Sequence, residues 1–316
     1  MSTEEPKIEI LPSVDWTIDR TNFERIKTEY APAINLRERQ YDRDVKQKPD
    51  AGGARANLDV HNEIVLDYAG RLVEAQHLLP EQKAAAFLAT VFHDSGKLNS
   101  ELLEHHKKGL EYSTEMLDEM AVLNQSFEGT TITPEIKAKV LQAIERHMNH
   151  PFLVVKNKGE RFPEPQDDVD KVVFDADMMA NIGFKNVCFR LVSEKFLKED
   201  NEMAAQKKIP ILQESFENVM QGVKSLDQVV LSKPAKEMTG GLIADATRIF
   251  EYLKEKKILD KIQEEFSDNG QFNKQTMVKK AGQDGFLLLK KRLNEEIMNA
   301  AGALGIDAKI VKNFQM

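Results

Sequence analysis

One cysteine in 316 residues, Cys188, rules out an intramolecular disulfide and predicts a reducing, cytoplasmic setting. Long apolar runs are missing too: none approaches the roughly 20 residues that cross a bilayer. The opening Met1-Ser2-Thr3-Glu4-Glu5-Pro6 has neither the basic start nor the apolar stretch of a signal peptide. Positive charge is also short. With 44 Lys and Arg against 52 Asp and Glu, the net charge of -8 argues against nucleic-acid binding, which needs a basic surplus. Repeats, low-complexity tracts and a glycine-rich dinucleotide fingerprint are absent. What remains is 41% apolar residues, enough for a real core, and 30% charged residues for a hydrated surface.

The acidity is uneven. Residues 256–316 hold more Lys and Arg than Asp and Glu, so the preceding chain carries all the net negative charge. A basic tail of this kind can dock on the acidic body, join copies of the chain, meet a protein partner, or simply present a solvated helical face.

Periodicity predicts an all-α fold in three regions. Residues 1–57 read as an irregular arm and linker, with a charged run at 37–44, a Pro49-Asp50-Ala51-Gly52-Gly53 breaker cluster and Trp16 as its large apolar anchor. The body, 58–255, opens with a helix over 61–79 whose apolar residues share one face. Pro80 then suits the first turn of a helix through Ala84–Phe92, apolar nearly all round and therefore central. Its end delivers His93 and Asp94, with Gly96 as the turn out. Further helices are expected over 102–123, from Thr133-Pro134, and over 171–183. In the second of these Ile136, Val140 and Ile144 share a face that leads to His147. Val154-Val155 and Phe162 around Lys158-Gly159 predict a short hairpin, and 187–255 reads as two or three more helices. The extension, 256–316, is helical with interruptions at Gly270 and Gly282–Gly285.

All seven histidines fall between His61 and His150. A single buried imidazole is more often a hydrogen-bonded core residue than a ligand. Several together, with carboxylates, change that balance, because a buried ring nitrogen needs a partner and a metal is one. The adjacent His93-Asp94 pair offers one imidazole and one carboxylate to a common ion. That mixture suits Mn, Fe, Co, Ni or Zn, and a carboxylate can bridge two ions.

Phe92-His93-Asp94-Ser95-Gly96-Lys97 resembles the signature turn of the HD-domain superfamily of metal-dependent phosphohydrolases. His61-Asn62-Glu63-Ile64-Val65-Leu66-Asp67-Tyr68-Ala69 is similar to that family's first helix. His106-Lys107-Lys108-Gly109 resembles its His-x-x-Gly helix start, Ala143–His147 its next ligand helix, and Phe174–Asn181 its last. The order His, His-Asp, His, His, Asp matches the binuclear subgroup over about residues 58–183, more faintly to 255 through Ser232–Lys236. The resemblance implies an HD-type helical bundle with ligands His61, His93, Asp94, His106, His147 and Asp177, and one or two divalent ions, Mg included. Helical phase does not separate Asp175 from Asp177; the family's Ala-before, Asn-after pattern favours Asp177. Spacing to Gly109 likewise favours His106 over His105. His150, followed by Pro151, reads as a rim residue and His77 as an exposed one.

By the same resemblance the chain is expected to hydrolyse a small phosphorylated substrate, with Asp94 bridging the ions. Lys97 either contacts substrate phosphate or is a solvent-facing turn residue. Two substrate classes are disfavoured. The Gly-Tyr-Pro motif and paired histidines of the cyclic-dinucleotide phosphodiesterases are absent, and Ser95-Gly96-Lys97 replaces the acidic pair of alarmone hydrolases. Oxygen-dependent cleavage at a di-iron centre and non-catalytic metal or nucleotide sensing are the competing expectations, since both use the same ligands.

Overall fold

The structure is a computed structural model that describes residues 20–182, 211–268 and 285–311, with positions 184, 187, 272, 279 and 282 between them. It is all-α apart from a two-residue-per-strand hairpin. Helix α4, Pro80–Phe92, is the axis of the bundle. Every side chain from Ala84 to Phe92 is buried, as its nearly continuous apolar surface requires. Burying its four large apolar side chains, Phe87, Leu88, Val91 and Phe92, contributes about 1.5–3 kcal/mol each. Around it pack α3 (Gly52–Ala75), α6 (Pro134–Arg146) and α8 (Asp168–Met179), with α5 (His105–Val122) laid across α6.

Caps fix where these helices begin. The Thr133 hydroxyl accepts from the Ile136 amide at 3.3 Å to start α6, and the Asp167 carboxylate accepts from the Asp170 amide at 3.0 Å to start α8. Ile136, Val140 and Ile144 are buried on one face of α6, as expected. The Arg146 guanidinium and the Asp170 carboxylate, 2.6 Å apart, tie α6 to α8.

The N-terminal region departs from expectation. Residues Arg20–Glu29 (α1) and Ala31–Gln47 (α2) are helical, not an irregular arm, and α3 already starts at Gly52. The buried stripe of α2 is Ala33, Leu36, Arg37, Gln40, Tyr41 and Asp44. Its spacing is helical, but half of it is polar, so an apolar-periodicity criterion does not register it. Trp16 lies outside the described residues.

The hairpin expected over 152–162 is also replaced. Pro151–Lys156 (α7) is a helix closed by a Schellman cap: the Gly159 amide donates to the Val154 carbonyl at 2.9 Å and the Lys158 amide to that of Val155 at 3.2 Å. Lys158-Gly159 is a helix stop here, not a strand reversal. The real hairpin pairs Ser126–Phe127 (β1) with Thr130–Thr131 (β2). Glu128 and Gly129, both at positive φ (50° and 73°), form its tight turn.

Beyond α8 come Ile211–Lys224 (α9), Leu226–Val229 (α10), Lys233–Glu255 (α11), Ile258–Phe266 (α12), Gly285–Ala303 (α13) and Ala308–Val311 (α14). Gly270 lies outside the described residues. The basic extension packs on α11 through Leu289, Leu293, Ile297 and Ala300, all buried. Arg292 pairs with Glu265 and Glu296, both within the extension itself, and Arg248 of α11 donates to the Leu304 carbonyl at 2.8 Å. No helix among the described residues is long and apolar enough to cross a membrane.

Candidate metal centre

Five elements each bring candidate ligands to one buried point. His61 comes from α3, His93 and Asp94 from the end of α4, His105 from the start of α5, His147 from the end of α6, and Asp177 from α8. They form two groups, His61 with His93 and Asp177, and Asp94 with His105 and His147, in each of which the ligand atoms lie within 4.8 Å of one another.

Asp94 stands between the groups. Its Oδ2 lies 3.5 Å from His93 Nε2 and 3.7 Å from His61 Nε2. Its Oδ1 lies 3.3 Å from His105 Nε2 and 3.9 Å from His147 Nε2. One carboxylate thus offers an oxygen to each half. Asp177 Oδ1 is 3.0 Å from His61 Nε2.

The histidine orientations are set from behind. Nδ1 of His93, His105 and His147 lies 2.8, 2.6 and 2.5 Å from the carbonyl oxygens of Thr90, Leu102 and Ile144. A carbonyl only accepts, so each Nδ1 carries a proton and donates, which turns each Nε2 inward; in the neutral ring that Nε2 is a bare lone pair. His105 Nε2 and His147 Nε2 are 3.3 Å apart, and with both rings neutral they face each other as two acceptors. Two lone pairs cannot satisfy each other; a cation between them can. His93 Nε2 is likewise buried and makes no hydrogen bond. Imidazoles whose far nitrogen is held by a carbonyl are the usual metal-bound arrangement, so the donor set fits divalent ions of the borderline class.

Electrostatics agree. Burial pushes the Asp94 carboxyl up, but Lys97 and the protonated forms of His93 and His105 outweigh it and hold the group well below 3.8. Burial opposes ionisation of Asp177 too, and its contact with His61 and the field of His93 overcome it. Burial, then the neighbouring His93 and His105, push His147 down to about 3, so it is a neutral imidazole ready to ligate.

The turn after α4 is held by a close approach. A Cβ on Gly96 would lie 2.4 Å from the His105 carbonyl oxygen and 2.5 Å from the Gly109 amide nitrogen. Gly96 is therefore needed for backbone contact with the start of α5, not for a left-handed turn. Lys97 follows, half-buried, with its Nζ 2.7 Å from Asp94 Oδ2; it faces the centre. On the other side Tyr41 of α2 donates its hydroxyl to the Asp94 carbonyl at 3.3 Å.

Of the residues expected at the site, the structure brings together His61, His93, Asp94, Lys97, His147 and Asp177. His106 is not among them. Its ring meets the Phe162 ring edge-on at 5.6 Å, and His105 occupies the place expected for it. Asp175, the alternative to Asp177, points elsewhere: its carboxylate accepts from the amides of Leu231 at 2.7 Å and Ser232 at 2.9 Å, anchoring the start of α11. His150 is half-buried just before α7, with its imidazole pKa lowered by burial. His77 is exposed at the left-handed residue that ends α3. Sequence reasoning missed Tyr41, whose helix it had not registered.

No protein-family model matches this chain, and neither a curated protein nor a solved structure matches it.

Proposed function

We propose that this centre holds two divalent ions in the manner of the HD-domain superfamily and that the chain hydrolyses a phosphate ester of a nucleotide or small metabolite. The observation that supports it most is Asp94, one oxygen directed to each triad, with the paired Nε2 lone pairs of His105 and His147 beside it. Divalent ions bound there supply Lewis acidity toward the phosphoryl oxygens and lower the pKa of water to near neutrality.

The protein's own groups divide the remaining work. His93, Asp94, His105 and His147 are fully enclosed and form the floor. His61 and Asp177 keep 13% of their side-chain surface exposed and Lys97 keeps 34%, so substrate enters over these three. Lys97 remains an ammonium: burial works against its charge, but Asp94 and Asp177 raise its pKa above 10.5. Its Nζ, 2.7 Å from Asp94 Oδ2, would donate to a non-bridging phosphate oxygen and orient the ester. The acidic body is no obstacle, because the ions provide the local positive charge.

The test is metal analysis of protein purified without added metal, then a screen of phosphate esters with Mn, Co, Ni or Mg. Turnover that disappears in His93→Ala is expected. A fully metallated protein with no turnover on any phosphomonoester or phosphodiester defeats the reading.

A further inference from the structure

Helix α2 supplies no metal ligand, yet its buried polar residues grip the segments that do. Polar groups taken out of water destabilise a fold unless they find partners. For Tyr41 and Asp44 those partners stand on, or beside, the chain segments that carry His61, Asp94 and His105.

Two tyrosine hydroxyls make the connections, each in the same way. The Tyr41 hydroxyl donates to the Asp94 carbonyl at 3.3 Å. That uses its one proton, so the Asn62 amide Nδ2 must donate to the Tyr41 oxygen, at 3.1 Å. Asn62 is buried and follows the candidate ligand His61 on α3, so this hydroxyl joins α2, α3 and the end of α4. The Tyr112 hydroxyl of α5 donates to Asp44 Oδ1 at 3.1 Å and accepts from Asn99 Nδ2, also at 3.1 Å. It joins α2, α5 and the turn between α4 and α5. Tyr112 lies about two turns beyond His105, on the same side of the helix.

We propose that Tyr41 and Asp44 are positioning residues of the metal centre: Tyr41 sets Asp94 against His61, and Asp44, through Tyr112, sets the rotation of α5 and with it His105. Gly96 holds the turn against the start of α5, and α2 ties both to α3. A ligand set drawn from five separate elements needs such a tie, because outer hydrogen bonds of this kind typically carry about 10–100-fold of metal affinity. The inference rests on the two-ion reading of the centre and is independent of the reaction performed there.

Stepwise calorimetric titration of the full-length, chelator-treated protein with Mn tests it, repeated with Co to record the visible spectrum of the bound ions. Tyr41→Phe should weaken both steps by about 10–100-fold and shift the Co bands, since Asp94 serves both ions. Tyr112→Phe and Asp44→Ala should weaken one step only, whereas Asp44→Asn, which keeps an acceptor for Tyr112, should retain both. In a His105→Ala background, Tyr41→Phe should still weaken the remaining ion and Tyr112→Phe should not. Tyr68→Phe is the control: it removes an equally buried hydroxyl of α3 that makes no hydrogen bond, and should leave affinity and spectrum unchanged. Melting curves verify that each variant folds, and Tyr112→Phe decides for Asp44 where Asp44→Ala does not. Affinity and Co spectrum unchanged in Tyr41→Phe, or an equal loss in Tyr68→Phe, overturn the assignment of Tyr41. A Tyr112→Phe variant that weakens both ions alike, or neither, overturns that of Asp44. An unmodified protein that takes up no ion defeats the two-ion reading itself, and this inference with it.

Discussion

Replacing Gly96 with Ala is the sharpest perturbation of the centre that leaves every ligand in place. The added Cβ would sit 2.4 Å from the His105 carbonyl oxygen and 2.5 Å from the Gly109 nitrogen, both backbone atoms that cannot rotate aside. Ordinary contact begins near 3.4 Å, so the turn and the start of α5 must separate by about 1 Å. Overpacking of this kind costs about 1–3 kcal/mol of stability. The displacement falls unequally on the two triads. His105 rides on the displaced segment, whereas His61 and Asp177 stand on α3 and α8. Metal affinity at the Asp94–His105–His147 half should therefore drop by about 10–100-fold, the loss typical of disturbed ligand orientation. The other half should change far less. Calorimetric titration of chelator-treated protein with Mn separates the two steps, and urea unfolding measures the stability. Equal weakening of both steps, or unchanged stability, would refute the argument that Gly96 exists for this contact.

Other substitutions and conditions discriminate further. His105→Ala should cost one bound metal ion per chain while His106→Ala leaves the stoichiometry intact; metal analysis giving the reverse would reinstate His106 as the ligand. Asp175→Ala strands two amides that now bond a buried carboxylate, so stability should fall by about 2–5 kcal/mol with metal content unchanged. Loss of metal at full stability would instead place Asp175 in the centre. Acidification should destabilise the metal-free protein. His147 protonates near 6.5 when unfolded and near 3 when folded, so between those values the unfolded chain binds more protons and stability falls as pH falls. Asp94 and Asp177, both held below 3.8, add to the loss at still lower pH. Melting temperatures of chelator-treated protein that do not decline from pH 7 to pH 4 would contradict this.

What the sequence revealed was whatever follows from periodicity and order. The all-round apolar segment Ala84–Phe92 could only be central, and the apolar face of α6 led to His147. What it hid depends on contacts between distant segments. At about 100° per residue, His105 lies about 40° from Gly109 around α5 and His106 about 60°, too close for phase to choose between them. The choice is made by Gly96, whose backbone contact fixes how α5 is rotated. Asp175 and Asp177 could not be separated until residues 231 and 232 arrived to claim the first. Helix α2 escapes an apolar-periodicity reading because its buried stripe carries Arg37, Gln40 and Asp44, polar groups held partly within the helix, Gln40 on Asp44 and Arg37 on Glu38, and partly by distant segments, Arg37 on the Val91 carbonyl and Tyr112 on Asp44.

The backbone bonds behind the three imidazoles have a consequence for how this centre withstands mutation. Thr90, Leu102 and Ile144 hold His93, His105 and His147 through main-chain oxygens, each three residues back along the same segment. No side-chain replacement at those positions deletes the acceptor, so this orienting layer is invisible to alanine scanning. Each helix end is a self-contained cassette, its imidazole preset by its own backbone. Sequence drift around the site can therefore run far while the ligand geometry persists, provided the ligands themselves and the one glycine that docks α5 are retained.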